Sequence, residues 1–236
     1  MSVALAGQLR EGTKKSHTMA ENTGFVACFL KGVVEKTSYR KLLSDLYFVY
    51  QAMETEIDRL VIEEHPVIKH IGFRELYRKN SLENDLYYYY GANWKEEISI
   101  SSSAKTYVER IHYVAKESPA LLVGHHYTRY IGDLSGGQIL KKIAKKALNL
   151  NDSNGLNFYE FDLIDDEKKF KKFYSSTLNQ LPIDQDIADQ IIEEANQAFT
   201  YNMEMFKELE GNLIKVLGKI VFNYISKKVR KGSTES

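Results

Sequence analysis

The sequence predicts an all-α protein, a single domain of many helices packed around one core. Apolar residues recur at helical spacing along nearly the whole chain. Proline is confined to Pro66, Pro119 and Pro182, each at a place where a helix can begin. The 236 residues contain no internal repeat, no low-complexity tract and no linker. One helical domain is therefore expected over residues 1–228, followed by a polar, disordered tail at 229–236.

In chain order, residues 3–20 come first. Leu5, Leu9, Thr13 and His17 stand four apart there and define an inward face. Residues 23–32 form a short helix. From Ser38 the series Tyr39, Leu42, Leu43, Leu46, Tyr50, Met53, Ile57, Leu60 keeps one face, with Thr37 or Ser38 as its cap. Helices at 81–91 and 102–117 follow, then a long helical stretch at 119–150. "NDSNGLNFYEFDLIDD" (151–166) is the clearest loop, with a brief alternating piece that reads as extended. A helix at 166–179 precedes the last one, 184–228, with Ile187, Ile191, Ala195, Ala198, Phe199, Phe206 and Leu213 inward.

Composition narrows the function classes. Net charge is zero and the pI is near 7.0, so no bulk electrostatic case for nucleic acid exists. A single cysteine, Cys28, excludes an internal disulfide and a cysteine-based zinc site. "MSVALAGQLREGTKKSH" lacks the apolar core of a signal peptide. "LIKVLGKIVFNYI" carries Lys215 and Lys219 and falls short of the ~18 apolar residues that span a bilayer. The expectation is a soluble, cytoplasmic protein without a membrane anchor. "LYYYYGANW" reads equally as core or as contact surface, which leaves the oligomeric state open.

The most unusual stretch is "GDLSGGQ", Gly132 to Gln138, placed between helical flanks. Each glycine costs about 1 kcal/mol relative to alanine inside a helix, so three together should break or kink it. "LSGGQ" matches the signature loop of ABC-type ATPases. That reading requires a G-x-x-x-x-G-K-[ST] phosphate cradle and a parallel sheet, and the chain offers neither. Gly132 and Gly136 are four apart and share a helix face without side chains. Such a face suits tight helix crossing or a flat ligand pressed on bare backbone. Asp133 and Ser135 lie within the segment, and Tyr127, Arg129 and Tyr130 lie just before it. The apolar face shifts phase from Ile131 and Leu134 to Ile139, Ile143 and Ala147, as in a helix bent over a cavity.

His17 on the inward face fits a satisfied core residue or a ligand. Arg10, Lys14 and Lys15 lie within two turns of it. Neutral imidazole is a common axial ligand of heme iron, and the two propionates of heme need cations at a pocket rim. His125 and His126 are adjacent and point about 100° apart on a helix, a poor chelate. His65, His70 and His112 read as surface or satisfied core. Glu109 and His112 form one E-x-x-H, where di-iron carboxylate bundles need two.

"LREGTKKSHTMAEN", "LYFVYQAMETEI", "HYTRYIGDLSGGQILKKIAKKAL" and "EEANQAFTYNMEMFKELE" together resemble the heme oxygenase family, in particular its form in photosynthetic bacteria, over roughly residues 3 to 225. The resemblance implies heme b as substrate and cofactor, with dioxygen as co-substrate and ferredoxin as electron donor. The implied products are biliverdin, as its IXα isomer by the same resemblance, carbon monoxide and ferrous iron. It makes His17 the proximal iron ligand. Gly132 and Gly136 become bare distal backbone. Asp133 becomes the anchor of a proton-delivering water network, supported by Tyr50 and Arg129. Arg10, Lys14, Tyr127 and Lys171 match propionate contacts, and Glu21, Phe199, Asn202 and Phe206 match positions lining or bracing the pocket. Ser175 stands where mammalian members place a propionate-gripping arginine, which weakens the clamp that helps set regiospecificity. The rivals are a heme carrier without turnover, a di-iron oxidase, and a scaffold with packing glycines.

Overall fold

The computed structural model describes residues 3–232, and the side chains of residues 3–210. All of its regular structure is helical among those residues. Leu5 and Leu9 are fully buried and Thr13 is 3 % exposed, so the inward face of the first segment forms as expected. The segment is two helices, α1 (Leu5–Gly12) and α2 (Lys14–Glu21), divided at Thr13, whose hydroxyl donates to the Leu9 carbonyl. α3 (Gly24–Leu30) follows.

α4 (Lys36–Ile62) is the central helix. Every residue of its expected apolar face, from Tyr39 to Leu60, is buried. Its cap is not Thr37 or Ser38 but Glu35, whose carboxylate accepts from the Thr37 and Ser38 amides at 2.9 and 2.7 Å. Glutamate is long enough to reach amides two and three residues on, a geometry that residue preferences do not reveal. α5 (Lys79–Tyr90) and α7 (Ser102–Glu117) flank α4, with the short α6 (Trp94–Glu97) between them. In "LYYYYGANW" the ambiguity divides by residue: Tyr89 is buried, while Tyr87 and Tyr88 are 60 % and 46 % exposed.

The 119–150 stretch consists of a 3₁₀ turn at Pro119–Leu121, α8 (Leu122–His126), a π turn at Tyr127–Ile131 and α9 (Gly132–Ala147). The glycines do not break the helix. The irregularity lies one turn earlier, in the π turn, a feature frequent at functional sites. Nor does the apolar face shift phase: Leu134, Gly137 and Ala144 are buried on one face, and Ile139 is 61 % exposed. The loop at 151–166 holds no extended piece. It contains a 3₁₀ turn at Asn157–Tyr159, tied down by the buried Asp85, which accepts from the Asn157 and Phe158 amides at 2.8 Å.

α10 (Glu167–Asn179) precedes α11 (Gln185–Gly232), which packs against α1, α2, α3, α4, α7 and α8. Ile191, Ala195 and Ala198 are fully buried on α11, as expected, and Ile187, Phe199 and Phe206 are half-buried. Leu213 lies outside the residues whose side chains are described. α11 runs four residues past Lys228, to Gly232, so the expected tail begins as helix, and residues 233–236 lie outside the described residues.

Gly124 lets α8 meet α11 at backbone distance. A Cβ there would sit 2.7 Å from the Ile191 carbonyl oxygen and 2.8 Å from the Ala195 nitrogen. Both are backbone atoms that cannot swing aside. Gly124→Ala is expected to destabilise the fold by about 1–3 kcal/mol, read as a Tm lower by several degrees; an unchanged Tm would contradict the close crossing.

The same junction buries Glu194 of α11. Its carboxylate accepts from Arg110 Nη2 at 2.6 Å and from Arg110 Nε at 3.0 Å, and it pairs with His125 Nε2 at 2.8 Å. Burial alone would raise the Glu194 carboxyl, but these bonds hold it down at about 2, against an ordinary 4.5. A depressed acid stabilises the fold above its unfolded value, and that contribution drains away as pH falls from 4.5 towards 2. Urea midpoints measured across that window are expected to fall steeply for the parent chain and less steeply for Glu194→Gln.

Candidate active site

A cleft of about 660 Å³ opens between α1 and α2 on one side and the π turn with α9 on the other, and Phe199 of α11 also lines it. A cleft of this size suits a single large organic ligand.

His17 lies on the α2 wall. Its side chain is 55 % exposed, so it does not continue the buried face of α1 as its spacing suggested. The imidazole lines the cleft instead. A satisfied core histidine is therefore excluded. Nδ1 lies 3.8 Å from Glu21 Oε2, and the ring stands edge-on to Phe199 with centroids 5.9 Å apart. Arg10, Lys14 and Tyr127 also line the cleft, which gives one part of it a cationic and hydroxylic character. Burial raises the Tyr127 hydroxyl, opposed by its hydrogen bond to Thr13 and by the Arg10 charge.

The opposite wall carries Gly132, Gly136 and Ser135. A Cβ on Gly132 or Gly136 would meet nothing within 4 Å. Glycines that serve helix crossing have a neighbour at that distance, as Gly124 does, and these two have open space. Gly137 is the packing glycine of the segment, 3.3 Å from Tyr159 at its absent Cβ.

Directly behind that wall lies a polar layer. Arg129 and Asp133 stand four apart across the π turn and pair at 3.1 Å. Arg129 Nε donates to the Tyr50 hydroxyl at 3.1 Å, the Tyr50 hydroxyl donates to Asp133 Oδ2, and Arg129 Nη1 donates to Asn202 Oδ1 at 2.7 Å. Burial raises the Asp133 carboxyl well above the usual carboxylate range. The Arg129 charge and the Tyr50 hydroxyl oppose that rise by holding the anion.

The expected site residues therefore fall into three sets. Arg10, Lys14, His17, Glu21, Tyr127, Gly132, Gly136 and Phe199 line the cleft. Tyr50, Arg129, Asp133 and Asn202 form the layer behind it. Phe206, Lys171 and Ser175 are not brought to its wall: Phe206 stacks on Phe25 at 5.8 Å, and the Ser175 hydroxyl donates to the Lys171 carbonyl on its own helix. Thr18 and Thr128 line the cleft without having been singled out. Their positions were legible, since Thr18 follows Lys14 by four and Thr128 precedes Gly132 by four.

Of the other histidines, His70 is exposed, and His65, His112 and His126 have structural partners. His65 Nδ1 accepts from the Val67 and Ile68 amides, His112 pairs with Glu56 at 2.7 Å, and His126 faces the Tyr174 hydroxyl at 2.8 Å. Glu109 pairs with Lys105, so the lone E-x-x-H is not assembled into a site.

Comparison with known proteins decides the family. The family model described as Heme oxygenase matches residues 3–208. The chain belongs to the heme oxygenase family. It is 61 % identical to Heme oxygenase 1 of the cyanobacterium Synechocystis over 235 residues, covering 100 % of this chain and 97 % of that one. The crystal structure of Synechocystis heme oxygenase-1 in complex with heme superposes with a TM-score of 0.89 at 62 % identity, covering 94 % of this chain and 100 % of that one. Heme oxygenase-2 from the same organism, in complex with heme and NO, gives the same TM-score at 42 % identity, covering 95 % and 93 %.

The residues of this heme oxygenase fit its namesake ligand. The cleft places an imidazole opposite a wall on which Gly132 and Gly136 leave bare backbone, an arrangement that suits a flat macrocycle. Its cationic part matches two carboxylates.

Proposed function

We propose that the chain opens heme to biliverdin, carbon monoxide and ferrous iron in this cleft, with His17 as the iron ligand. The observation that carries the reading is the opposition of His17 to the bare Gly132–Gly136 backbone, with Asp133 one layer behind. Bound heme supplies both the iron at which dioxygen is reduced and the ring carbon that is oxidised. The protein supplies the rest. Arg10, Lys14 and Tyr127 hold the propionates, and Glu21 steadies the His17 ring from Nδ1. Gly132 and Gly136 keep side chains away from the oxygen-binding face, so protons arrive through water rather than from a group in contact. Asp133 holds and moves those protons, while Arg129, Tyr50 and Asn202 keep its carboxylate oriented.

Cleavage at the α-meso carbon is the proposed outcome, with Arg10, Lys14 and Tyr127 setting the orientation of the macrocycle, since Lys171 and Ser175 are not at the cleft wall. The proposed electron donor is ferredoxin, and the proposed location is the cytoplasm. Among the described residues no helix is long and apolar enough to cross a membrane. The proposed catalytic unit spans residues 1–228, with 229–236 outside it.

The test is spectral. One equivalent of hemin is mixed with the protein, followed by ferredoxin, its reductase and NADPH in air. Loss of the Soret band with growth of a broad red biliverdin band is expected. A stable heme spectrum would reduce the protein to a carrier, and turnover with ascorbate but never with ferredoxin would overturn the donor.

A further inference from the structure

The helix that carries His17 is held by little apolar burial. α1, ahead of it, is fixed by Leu5 and Leu9, both fully buried, and by the Ala6 amide, which donates to Asn179 Oδ1 at 2.9 Å. α2 buries none of its eight side chains: Ser16 and Ala20 are half-buried and the rest are exposed. Most of its polar contacts stay local. The Thr18 hydroxyl donates to the Lys14 carbonyl, the Ala20 carbonyl accepts from the Thr23 hydroxyl, and His17 faces Glu21. Among the described residues one side-chain hydrogen bond ties α2 to a distant element: Ser16 Oγ donates to Asn196 Oδ1 of α11 at 2.5 Å.

Asn196 grips both sides of the division at Thr13. Its Nδ2 donates to the Gly12 carbonyl, at the end of α1, at 3.1 Å and to the Ile192 carbonyl of its own helix at 2.9 Å. Those two bonds use both amide hydrogens, so Oδ1 is the atom left for the Ser16 hydroxyl. A helical serine or threonine ordinarily donates to the carbonyl four residues back, as Thr18 does to Lys14. For Ser16 that carbonyl belongs to Gly12, which accepts from Asn196, and the hydroxyl crosses to α11 instead. Phe199 stands three residues beyond Asn196 and so on the same face of α11. Its ring meets the His17 imidazole edge-on at 5.9 Å. One face of α11 thus holds the residue before His17 and braces the imidazole itself.

We infer that Asn196 is a positioning residue for the iron ligand: by holding the Gly12 carbonyl and the Ser16 hydroxyl together it fixes the roll of α2, and with it the direction of the His17 imidazole in the cleft. The inference rests on the proposed role of His17 as that ligand. Neither Asn196 nor Ser16 lines the cleft, so both act through α2 and not on the macrocycle. A ligating group must be held within about 0.5 Å and 10–20° of its working geometry. A helix without a buried side chain gains little of that precision from packing, and hydrogen bonds to the element that carries the ligand supply it.

Two sets of measurements test it, one of them without heme. Ser16→Ala removes only the hydroxyl, Asn196→Ala removes the whole grip, and Ser16→Thr keeps the hydroxyl. In the heme-free protein, amide hydrogen exchange across residues 14–21 is expected to quicken about fivefold in Ser16→Ala, the worth of one net hydrogen bond, and further in Asn196→Ala. Ser16→Thr should match the parent. In the ferrous heme complex, the iron–histidine stretching band in resonance Raman spectra is expected to shift in both alanine variants and to return in Ser16→Thr. Heme Kd should rise about fivefold in Ser16→Ala. The double variant should be no worse than Asn196→Ala alone, since the two residues share one bond. An unshifted band and an unchanged heme Kd in both alanine variants, even with a lower Tm, would overturn the inference, as would fully additive effects. If Asn196→Ala does not fold, Ser16→Ala and Ser16→Thr decide. An iron–histidine band that survives His17→Ala would overturn the proposed ligand and the inference with it, while exchange at residues 14–21 would still show whether Asn196 holds α2.

Discussion

Asp133→Ala is expected to bind heme as the parent does and to lose biliverdin formation by about 100-fold or more, the low end of what a positioned proton carrier contributes. Heme binding survives because Asp133 does not line the cleft; His17, the cationic groups and the glycine wall do. Turnover fails because nothing else in the layer takes its place. Arg129 is an arginine with donors only, and the Tyr50 hydroxyl is engaged with the residue removed. Removing Asp133 also leaves the Arg129 charge without its ion-pair partner in a buried position, so some fall in Tm accompanies the loss. Asp133→Asn separates the two effects. It keeps the shape and an acceptor for Tyr50 but cannot carry a proton, so its turnover should fall nearly as far with a smaller change in Tm. A biliverdin rate equal to the parent's in both variants would end the proton-carrier reading.

Gly136→Leu is expected to do the reverse, leaving the fold intact and closing the cleft. The absent Cβ of Gly136 faces open space, so the larger side chain meets no protein atom at its root. Replacing a helical glycine also gains up to about 1 kcal/mol of helix propensity, so Tm should hold or rise. The side chain would then occupy the slot meant for the ligand. An overpacked contact costs about 1–3 kcal/mol, which lowers heme affinity roughly 10- to 100-fold. Heme titration by absorbance measures it. An unchanged heme Kd would show that the macrocycle does not lie against this backbone. Gly124→Ala supplies the contrast, since that glycine faces backbone and its replacement should lower Tm without touching the cleft.

Much of the molecule was legible in its residues because the relevant forces are local. The periodicity from Tyr39 to Leu60 placed a helix and its buried face, since a helix repeats every 3.6 residues whatever packs on it. The clustering of Arg10, Lys14 and His17, with Gly132, Asp133 and Gly136 far along the chain, was enough to indicate a flat, anionic, metal-bearing ligand and to carry the family resemblance. Spacing by four also held the signal for Thr18 and Thr128 on the cleft wall.

What depended on contacts distant in sequence was not legible. Which glycine packs and which lies bare depends on α11 and on the loop at 157–159: Gly124 abuts Ile191, Gly137 touches Tyr159, and Gly132 and Gly136 touch nothing. The irregularity of the distal helix falls in the π turn at Tyr127–Ile131 rather than at the glycines, because the buried partners of Thr128, Arg129 and Tyr130 on α4 and α11 take that turn into the core. His17 lines the cleft rather than continuing the buried face of Leu5 and Leu9. The pairing of His125 with Glu194 and of Arg129 with Asn202 joins residues 69 and 73 apart, and no local pattern announces either. The sequence by itself determined the helices, the family and the chemical character of the site. Tertiary structure alone decided which polar groups are buried together, because hydrogen-bond direction and desolvation depend on neighbours in space and not on neighbours in the chain.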